Sequence, residues 1–209
     1  MNSRDRKLVF LMLFLCSAMV FAQSVSKQKK EIQKFQKELN EGYRNVNETP
    51  LRGENFTNFK EHPFFPIDLK YRVVADFTRT SDAVPFQMIT SSGRTQPYVE
   101  YGKATFTLNG TKHTLIVYQN LNLIKKPEYV NHLFLPFRDE TAGIETYGGG
   151  KYIDLEIPKG KTIVIDFNQS YHPYCAYNAH DYSCPIVPRE NWIATRIEAG
   201  VKYDDVYLH

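Results

Sequence analysis

Apolar and polar residues alternate along much of the chain beyond residue 70, which is the pattern of half-buried β-strands. In residues 71–77, for example, every second residue from Tyr71 to Phe77 is apolar or aromatic. The same period, or a short apolar run bounded by turn residues, predicts strands at 71–77, 85–90, 98–108, 113–118, 132–137, 151–157, 161–167 and 192–197. Seven or eight short strands, mostly joined by hairpins, predict a mainly β domain, either an antiparallel barrel or a sandwich.

Two of the predicted connections carry turn chemistry. Asn109-Gly110 lies between two alternating segments, and a type I′ hairpin turn needs positive φ at both central positions, which Asn and Gly adopt most readily. Pro158 and Gly160 separate the strands at 151–157 and 161–167, so they predict a second hairpin between those two strands. Residues 121–130 predict a looped insertion with a helical turn.

The segment before the strands has a helical period. Apolar residues recur there at intervals of three, four and seven: Val25, Ile32, Phe35 and Leu39. This is a thin stripe on a helix, so we interpret it as a solvated arm that spaces the domain from the start of the chain. Its removal should leave the domain folded. The predicted organisation is a leader at 1–22, a helical arm at 23–44 and a single β-rich domain at 45–209.

The first 22 residues have the three parts of an export signal. Basic residues lie near the N-terminus, an apolar stretch begins at Leu8, and small or medium residues precede Gln23, as signal peptidase requires. The apolar run has about fifteen residues, short of the roughly 20 that a spanning helix needs, so we favour cleavage over an uncleaved anchor. Leu15 before Cys16 is too bulky for a lipobox. We therefore expect an exported protein, periplasmic or secreted, with no transmembrane span after cleavage.

Composition and charge narrow the function classes. The chain has 209 residues, and removing three basic residues and one acidic one with the leader lowers the formal net charge from +3 to +1. No basic run is interleaved with aromatic residues, so we do not expect nucleic acid as a partner. No nucleophile elbow and no dinucleotide fingerprint occur, so the sequence specifies no reaction and we expect no cofactor.

Residues 137–191 hold the densest set of polar and aromatic residues. Gly148 to Gly150 could cradle an anion, but this run leads into a strand and not a helix, so we interpret it as a turn or bulge. The candidate ligand-binding residues lie in and around these loops: Asp139, Glu145, Tyr147, Tyr152, Asp154, Asp166, Asn168, Tyr171 and Asn191.

The same stretch resembles a known family. The run RDETAGIETYGGGKYIDL at 138–155, followed by Asp166-Phe167-Asn168, Cys184-Pro185 and Glu190-Asn191, is similar to domain-of-unknown-function family 1684. Segments at 64–68 and 102–108 add to the resemblance, which covers the chain from about residue 45 to the C-terminus. The resemblance implies no particular activity.

Cys175 and Cys184 are the two cysteines that remain when the leader is removed. In an exported protein such a pair is expected to be oxidised, and closing a loop of about ten residues contributes roughly 2 to 3 kcal/mol to stability. The alternative is a thiol or metal site with His172 and His180, but the spacing lacks the tight CXXC of zinc motifs. We predict a disulfide and no metal site.

Two functions are compatible with these residues. A binding module for a small polar ligand such as a glycan is favoured, because Tyr, Asp and Asn are concentrated in one set of loops. The alternative is a hydrolase that uses two of the four carboxylates at 139, 145, 154 and 166 as a general acid and base. Such a pair must converge in one pocket, and the sequence does not show which carboxylates do so. Whether the protein is an enzyme therefore stays open.

Overall fold

The computed structural model describes residues 3–204 and 207, with side chains from residue 23 onward. Within these residues the chain forms a long helix α1 (Ser3–Arg44), a short helix α2 (Gly53–Asn58) and eight strands. The strands are β1 (Arg72–Arg79), β2 (Phe86–Ile89), β3 (Thr95–Leu108), β4 (Thr111–Asn120), β5 (His132–Asp139), β6 (Lys151–Glu156), β7 (Thr162–Asp166) and β8 (Trp192–Ile193). The insertion between β4 and β5 contains the predicted helical turn as a 3₁₀ turn at Pro127–Tyr129.

The strands form one sheet that curls into a half-barrel. Their order is β6-β5-β4-β3-β1-β7, with β2 paired to β3 and β8 paired to β5. Pairing is antiparallel throughout the order, and the two-residue β8 alone runs parallel to its partner among the described strands. The predicted mainly β, antiparallel fold with an N-terminal helix is therefore confirmed.

The hairpin between β3 and β4 turns where the sequence predicts it. Asn109 and Gly110 have φ values of 50° and 78°, and Leu108 pairs with Thr111 across the turn. Both central residues thus have the positive φ of a type I′ turn, whose twist matches that of the strands.

The second predicted hairpin, around Pro158 and Gly160, is wrong. β6 pairs with β5, and β7 pairs with β1, so the two strands lie at opposite ends of the strand order. Their connection links the two edges of the half-barrel instead of closing a ladder. Pro and Gly marked a change of direction correctly, but a short connection does not by itself fix which strands pair.

The sheet buries side chains on both faces. One face, the main face, carries the largest apolar cluster, which includes Leu115, Leu135 and Ile153. The other face, the pocket face, carries a smaller and more aromatic cluster, which includes Phe134 and Tyr152. Because successive side chains of a strand point to opposite faces, neighbouring residues of β5 and β6 enter different clusters. The pocket face leaves room for a cavity.

The helix α1 packs against the domain, in contrast to the predicted free spacer. Ile32 and Tyr43 are fully or almost fully buried, and the side chain of Asn40 accepts a hydrogen bond from the His62 amide at 2.8 Å. Glu31 also pairs with Arg72 of β1 at 3.3 Å. The apolar stripe of α1 is as narrow as the sequence indicates. A narrow stripe is nevertheless sufficient for packing when the domain already presents a surface that these side chains can contact.

The last predicted strand, at 192–197, is shorter than expected. The chain leaves the sheet after Ile193, and the backbone of Ile197 bonds to side chains instead: its amide donates to Asp139 and its carbonyl accepts from Lys151. Buried side-chain partners thus replace the missing ladder bonds.

No helix among the described residues is both long enough and apolar enough to span a membrane. The predicted leader at 1–22 lies outside the residues whose side chains are described, so cleavage and export stay predictions.

Candidate functional site

A cavity of about 550 Å³ opens between the pocket face of the sheet, the loop that contains both cysteines, and α1. We call it the aromatic pocket. Its lining residues are Phe35, Glu38, Leu39, Tyr98, Asn120, Leu123, Tyr129, His132, Phe134, Tyr152, Asp154, Tyr171, Pro173, Tyr174, Tyr182, Ser183, Cys184 and Pro185. Its volume falls in the range of small-molecule sites, roughly 300 to 1,000 Å³.

Tyrosine and phenylalanine rings form much of the pocket wall. Phe134 lies 4.7 Å from Tyr152 between ring centroids with a 77° interplanar angle, and Tyr152 lies 6.0 Å from Tyr171 at 88°. Tyr174 and Tyr182, on the loop opposite, form a further edge-to-face pair at 5.1 Å. Such pairs hold each ring in place, because the edge of one ring is attracted to the face of the next.

A hydrogen-bonded group of three side chains lies within this wall. Asp154 accepts from the Tyr171 hydroxyl at 2.8 Å, and its other oxygen lies 2.9 Å from Nε2 of His132. The second ring nitrogen of His132, Nδ1, is buried without a hydrogen-bond partner. Burial, followed by the charge of Asp154, raises the pKa of Tyr171 well above its ordinary value, so the hydroxyl stays protonated and keeps donating.

Strand pairing explains why these three residues meet. β5 and β6 are antiparallel, and Phe134 lies directly opposite Asp154 in the ladder, with His132 at the neighbouring pocket-face position of β5. Tyr171 joins through an isolated bridge, in which the Tyr171 amide donates to the Tyr152 carbonyl at 3.0 Å and the Tyr152 amide donates back at 2.8 Å. The backbone thus places a loop residue beside two strands.

The cysteine loop forms another part of the wall. Cys175 and Cys184 are both free thiols in this structure, and the Cys175 amide donates to Sγ of Cys184 at 3.2 Å. A hydrogen bond from the Cys184 thiol lowers the pKa of Cys175 to about 7, whereas the same bond and burial raise the pKa of Cys184. The structure contains no bond between them, so the predicted disulfide is not shown, although the two residues lie side by side.

Helix α1 closes one side of the pocket. Phe35, Glu38 and Leu39 line it, and they occupy one face of the helix because residues three and four apart are neighbours on a helix surface. Part of the predicted thin stripe therefore faces the cavity. The arm belongs to the site as well as to the fold.

Three of the nine predicted ligand-binding residues meet in the aromatic pocket: Tyr152, Asp154 and Tyr171. Asp139 and Glu145 make ion pairs elsewhere. Asp139 is buried against the fully buried Lys151 at 3.1 Å, and Glu145 binds Arg196 through both oxygens at 2.6 and 2.7 Å.

The remaining four predicted residues hold the fold together. Asp166 pairs with Arg72 at 2.7 Å, and Asn168 exchanges hydrogen bonds with the backbone of Asp68. Asn191 is completely buried; its side-chain amide spans the backbones of β4 and β5 by bonds to Ile116 and Pro136. The ring of Tyr147 packs 5.5 Å from that of Tyr203.

Sequence reasoning missed most of the pocket lining, notably Tyr98, Asn120, Phe134 and His132. These residues lie on strands outside the dense loop stretch at 137–191. A usable signal was present: aromatic residues on both faces of the predicted strand at 132–137 indicate a strand that is buried on two sides.

A separate polar cluster lies where α1 meets the domain. The Tyr177 hydroxyl bridges Nδ1 of His172 at 3.2 Å and Nδ1 of His62 at 3.4 Å, and His172 Nε2 accepts from the Tyr147 amide. Burial, with a smaller contribution from Arg44, lowers the pKa of His62 to about 3, and burial beside Lys151 lowers that of His172 well below its ordinary value. Both imidazoles are therefore neutral.

Among the described residues, no group of three or more His, Cys, Asp or Glu side chains could hold a metal ion. Within this part of the chain, no cluster therefore supports the alternative prediction of a metal site formed by thiols and histidines. His180 lies on the exposed surface beside Asp181, away from His172 in the buried cluster.

Comparison with known proteins gives a family but no activity. Residues 57–202 match the family model described as "Protein of unknown function (DUF1684)". A solution NMR structure of an uncharacterized protein from Haloarcula marismortui is similar, with 28% sequence identity and a TM-score of 0.69 over 88% of this chain and 99% of that one. A comparison with curated proteins found no match.

Proposed function

The chain belongs to the DUF1684 family of proteins of unknown function, and we propose that this member is a binding domain that holds a small polar ligand in the aromatic pocket. The observation that carries the proposal is the composition of the pocket: a cavity of about 550 Å³ combines edge-to-face aromatic walls with one hydrogen-bonded carboxylate group. An apolar cavity with a few fixed polar groups is typical of small-molecule sites.

The positions of the carboxylates favour binding over the hydrolase alternative. Hydrolysis by a carboxylate pair requires two such groups that flank the scissile bond, about 5 to 9.5 Å apart in glycosidases. Of the four predicted carboxylates, only Asp154 lines the aromatic pocket, and the other three make ion pairs with Lys151, Arg196 and Arg72. The other carboxylate of the lining, Glu38, is an exposed residue of α1 that pairs with Lys34 at 3.6 Å. Asp154, which accepts from His132 and Tyr171, is better suited to orienting a ligand.

We also propose that the protein acts outside the cytoplasm, which rests on the pattern of residues 1–22 alone. Cell fractionation followed by mass determination of the purified protein tests this. The expected mature chain begins at Gln23. A full-length protein recovered from the cytoplasm would contradict the proposal.

Binding is tested by thermal shift against a panel of sugars, peptidoglycan fragments and organic amines, followed by NMR titration of each positive compound. A ligand at a hundred times its Kd should stabilise the domain by about 2.7 kcal/mol. The variant Tyr182→Ala, which removes one ring of the wall, should weaken binding. Tyr101→Ala is the matched control, because Tyr101 is a half-buried tyrosine of β3 that does not line the pocket.

The proposal fails if the panel produces no stabilisation, or if the NMR shifts map away from the pocket. It also fails if the two tyrosine variants reduce binding equally, because that result would point to a general loss of packing.

A further inference from the structure

We infer that the ligand of the aromatic pocket is an organic cation, with an ammonium group held between aromatic rings beside Asp154. The inference rests on the proposed function and names the class of ligand that this pocket takes. Three features support it: the charge of the lining, the hydrogen bonds that several of its polar groups already make within the protein, and the arrangement of its rings.

The charge of the lining is negative. Glu38 and Asp154 line the pocket, and none of the described residues that line it is Lys or Arg. Lys34 pairs with Glu38 at 3.6 Å on the helix surface, so Asp154 is the carboxylate whose charge is less compensated. Its side chain is 52% exposed and hydrogen-bonds to His132 and Tyr171, neither of which is a permanent cation. An anionic ligand would meet repulsion here, whereas a cation would meet attraction.

Several polar groups of the pocket are already partnered within the protein. The Tyr152 hydroxyl donates to the Pro185 carbonyl, and the Tyr171 hydroxyl donates to Asp154. The Ser183 hydroxyl bonds to Thr90 at 2.6 Å. A sugar needs several free donors and acceptors around its hydroxyl groups, and these side chains offer few of them.

The side chain of Asn120 is likewise hydrogen-bonded within the protein. Its side-chain oxygen accepts from the amides of Asn122 and Leu123 at 2.9 and 3.0 Å, and its nitrogen donates to Gln96 at 3.0 Å. The side chain therefore stabilises the turn after β4. Beside these partnered groups, charge and aromatic surface are available for recognition, and neither requires a hydrogen bond from the ligand.

Neighbouring aromatic rings of the pocket wall meet at steep angles. Phe134 and Tyr152 are close to perpendicular, as are Tyr152 and Tyr171, so adjacent walls meet at steep angles. Aromatic faces attract cations through the ring quadrupole, and aromatic cages recognise quaternary ammonium groups. An adjacent carboxylate adds direct charge attraction. This combination favours a methylated or bulky ammonium over a sugar ring.

The test compares choline with 3,3-dimethyl-1-butanol, its neutral analogue in which carbon replaces nitrogen, by NMR titration at constant ionic strength. Choline should bind about ten-fold more tightly than the alcohol, because only choline has the charge that rings and carboxylate attract. Asp154→Asn should lower the affinity for choline more than the affinity for the alcohol, and so remove most of that preference. Asp76→Asn, on the exposed surface of β1, is the matched control.

A second variant, Glu38→Gln, keeps the test possible if Asp154→Asn does not fold. Glu38 is an exposed helix residue, so its substitution should leave the fold intact. It should lower choline affinity by a smaller factor. Equal binding of choline and the alcohol, or binding of glucose or N-acetylglucosamine without choline, would overturn the cation inference and leave the proposed binding function intact. If neither these compounds nor the wider panel binds, both proposals fail.

Discussion

Acidification from pH 7 to pH 5 should destabilise this protein through its two buried histidines. His62 and His172 are neutral in the folded state, because burial lowers the pKa of His62 to about 3 and that of His172 well below its ordinary value. In the unfolded chain both return to a pKa of about 6.5. The unfolded state therefore binds more protons below pH 6.5, so stability falls as the pH falls through that value.

The magnitude follows from proton linkage. Each histidine that is kept neutral by the fold lowers the free energy of unfolding by about 1.4 kcal/mol for every pH unit below 6.5. At pH 5 this amounts to about 2 kcal/mol for His62, a large part of a typical total of about 5 to 15 kcal/mol, and His172 adds a contribution of the same sign. Asp68 and Asp181, whose pKa values are lowered by hydrogen bonds, lose their contribution only at more acidic pH, outside this window.

Urea unfolding followed by far-UV circular dichroism at pH 7, 6 and 5 measures the effect. In His62→Phe one titrating group is absent, so the pH slope below 6 should fall whatever the variant's stability at pH 7. His172 and His113, whose pKa values burial also lowers, supply the remaining slope. His180→Gln is the control, because the His180 side chain is 96% exposed. A flat profile between pH 7 and 5, or an unchanged slope in His62→Phe, would refute the assignment of buried neutral imidazoles.

Three further outcomes are expected. Removal of α1 should lower the free energy of unfolding by about 3 to 6 kcal/mol, since two large side chains lose their burial, and an unchanged urea midpoint would show that the helix is a spacer after all. Gly110→Val should cost about 1 to 3 kcal/mol, because φ is 78° there and a β-branched residue resists it; an unaltered midpoint would contradict the turn assignment. Cys175 and Cys184 of exported protein should be linked in mass spectrometry without reductant, and ready alkylation of both would disprove the disulfide.

The candidate site was only partly accessible from sequence. Tyr152, Asp154 and Tyr171 were identified because they lie in a polar, aromatic stretch, and that stretch does form one side of the pocket. The strands and α1 supply the other walls, and the same stretch also contains residues with purely structural roles. Local composition indicates where loops are built, but it does not distinguish a residue that faces a cavity from one that holds the loop in place.

Ion pairing shows this limit most directly. A carboxylate such as Glu145 or Asp166 appears as a candidate acid until its partner is known, and those partners, Arg196 and Arg72, lie 51 and 94 residues away. Such distances along the chain leave no local pattern. The charged pair becomes visible only when the sheet brings the two segments together.

By itself the sequence determined the positions of most strands, the antiparallel mainly β class and the turn at Asn109-Gly110, because alternation and positive-φ residues act over a few neighbouring positions. The tertiary structure decided which strands pair, that β6 and β7 end at opposite edges of the half-barrel, and that α1 packs on the domain. It also decided that His132, Asp154 and Tyr171 meet. These outcomes depend on contacts between distant segments, whose energies are settled by the packing of the whole chain and not by any local period.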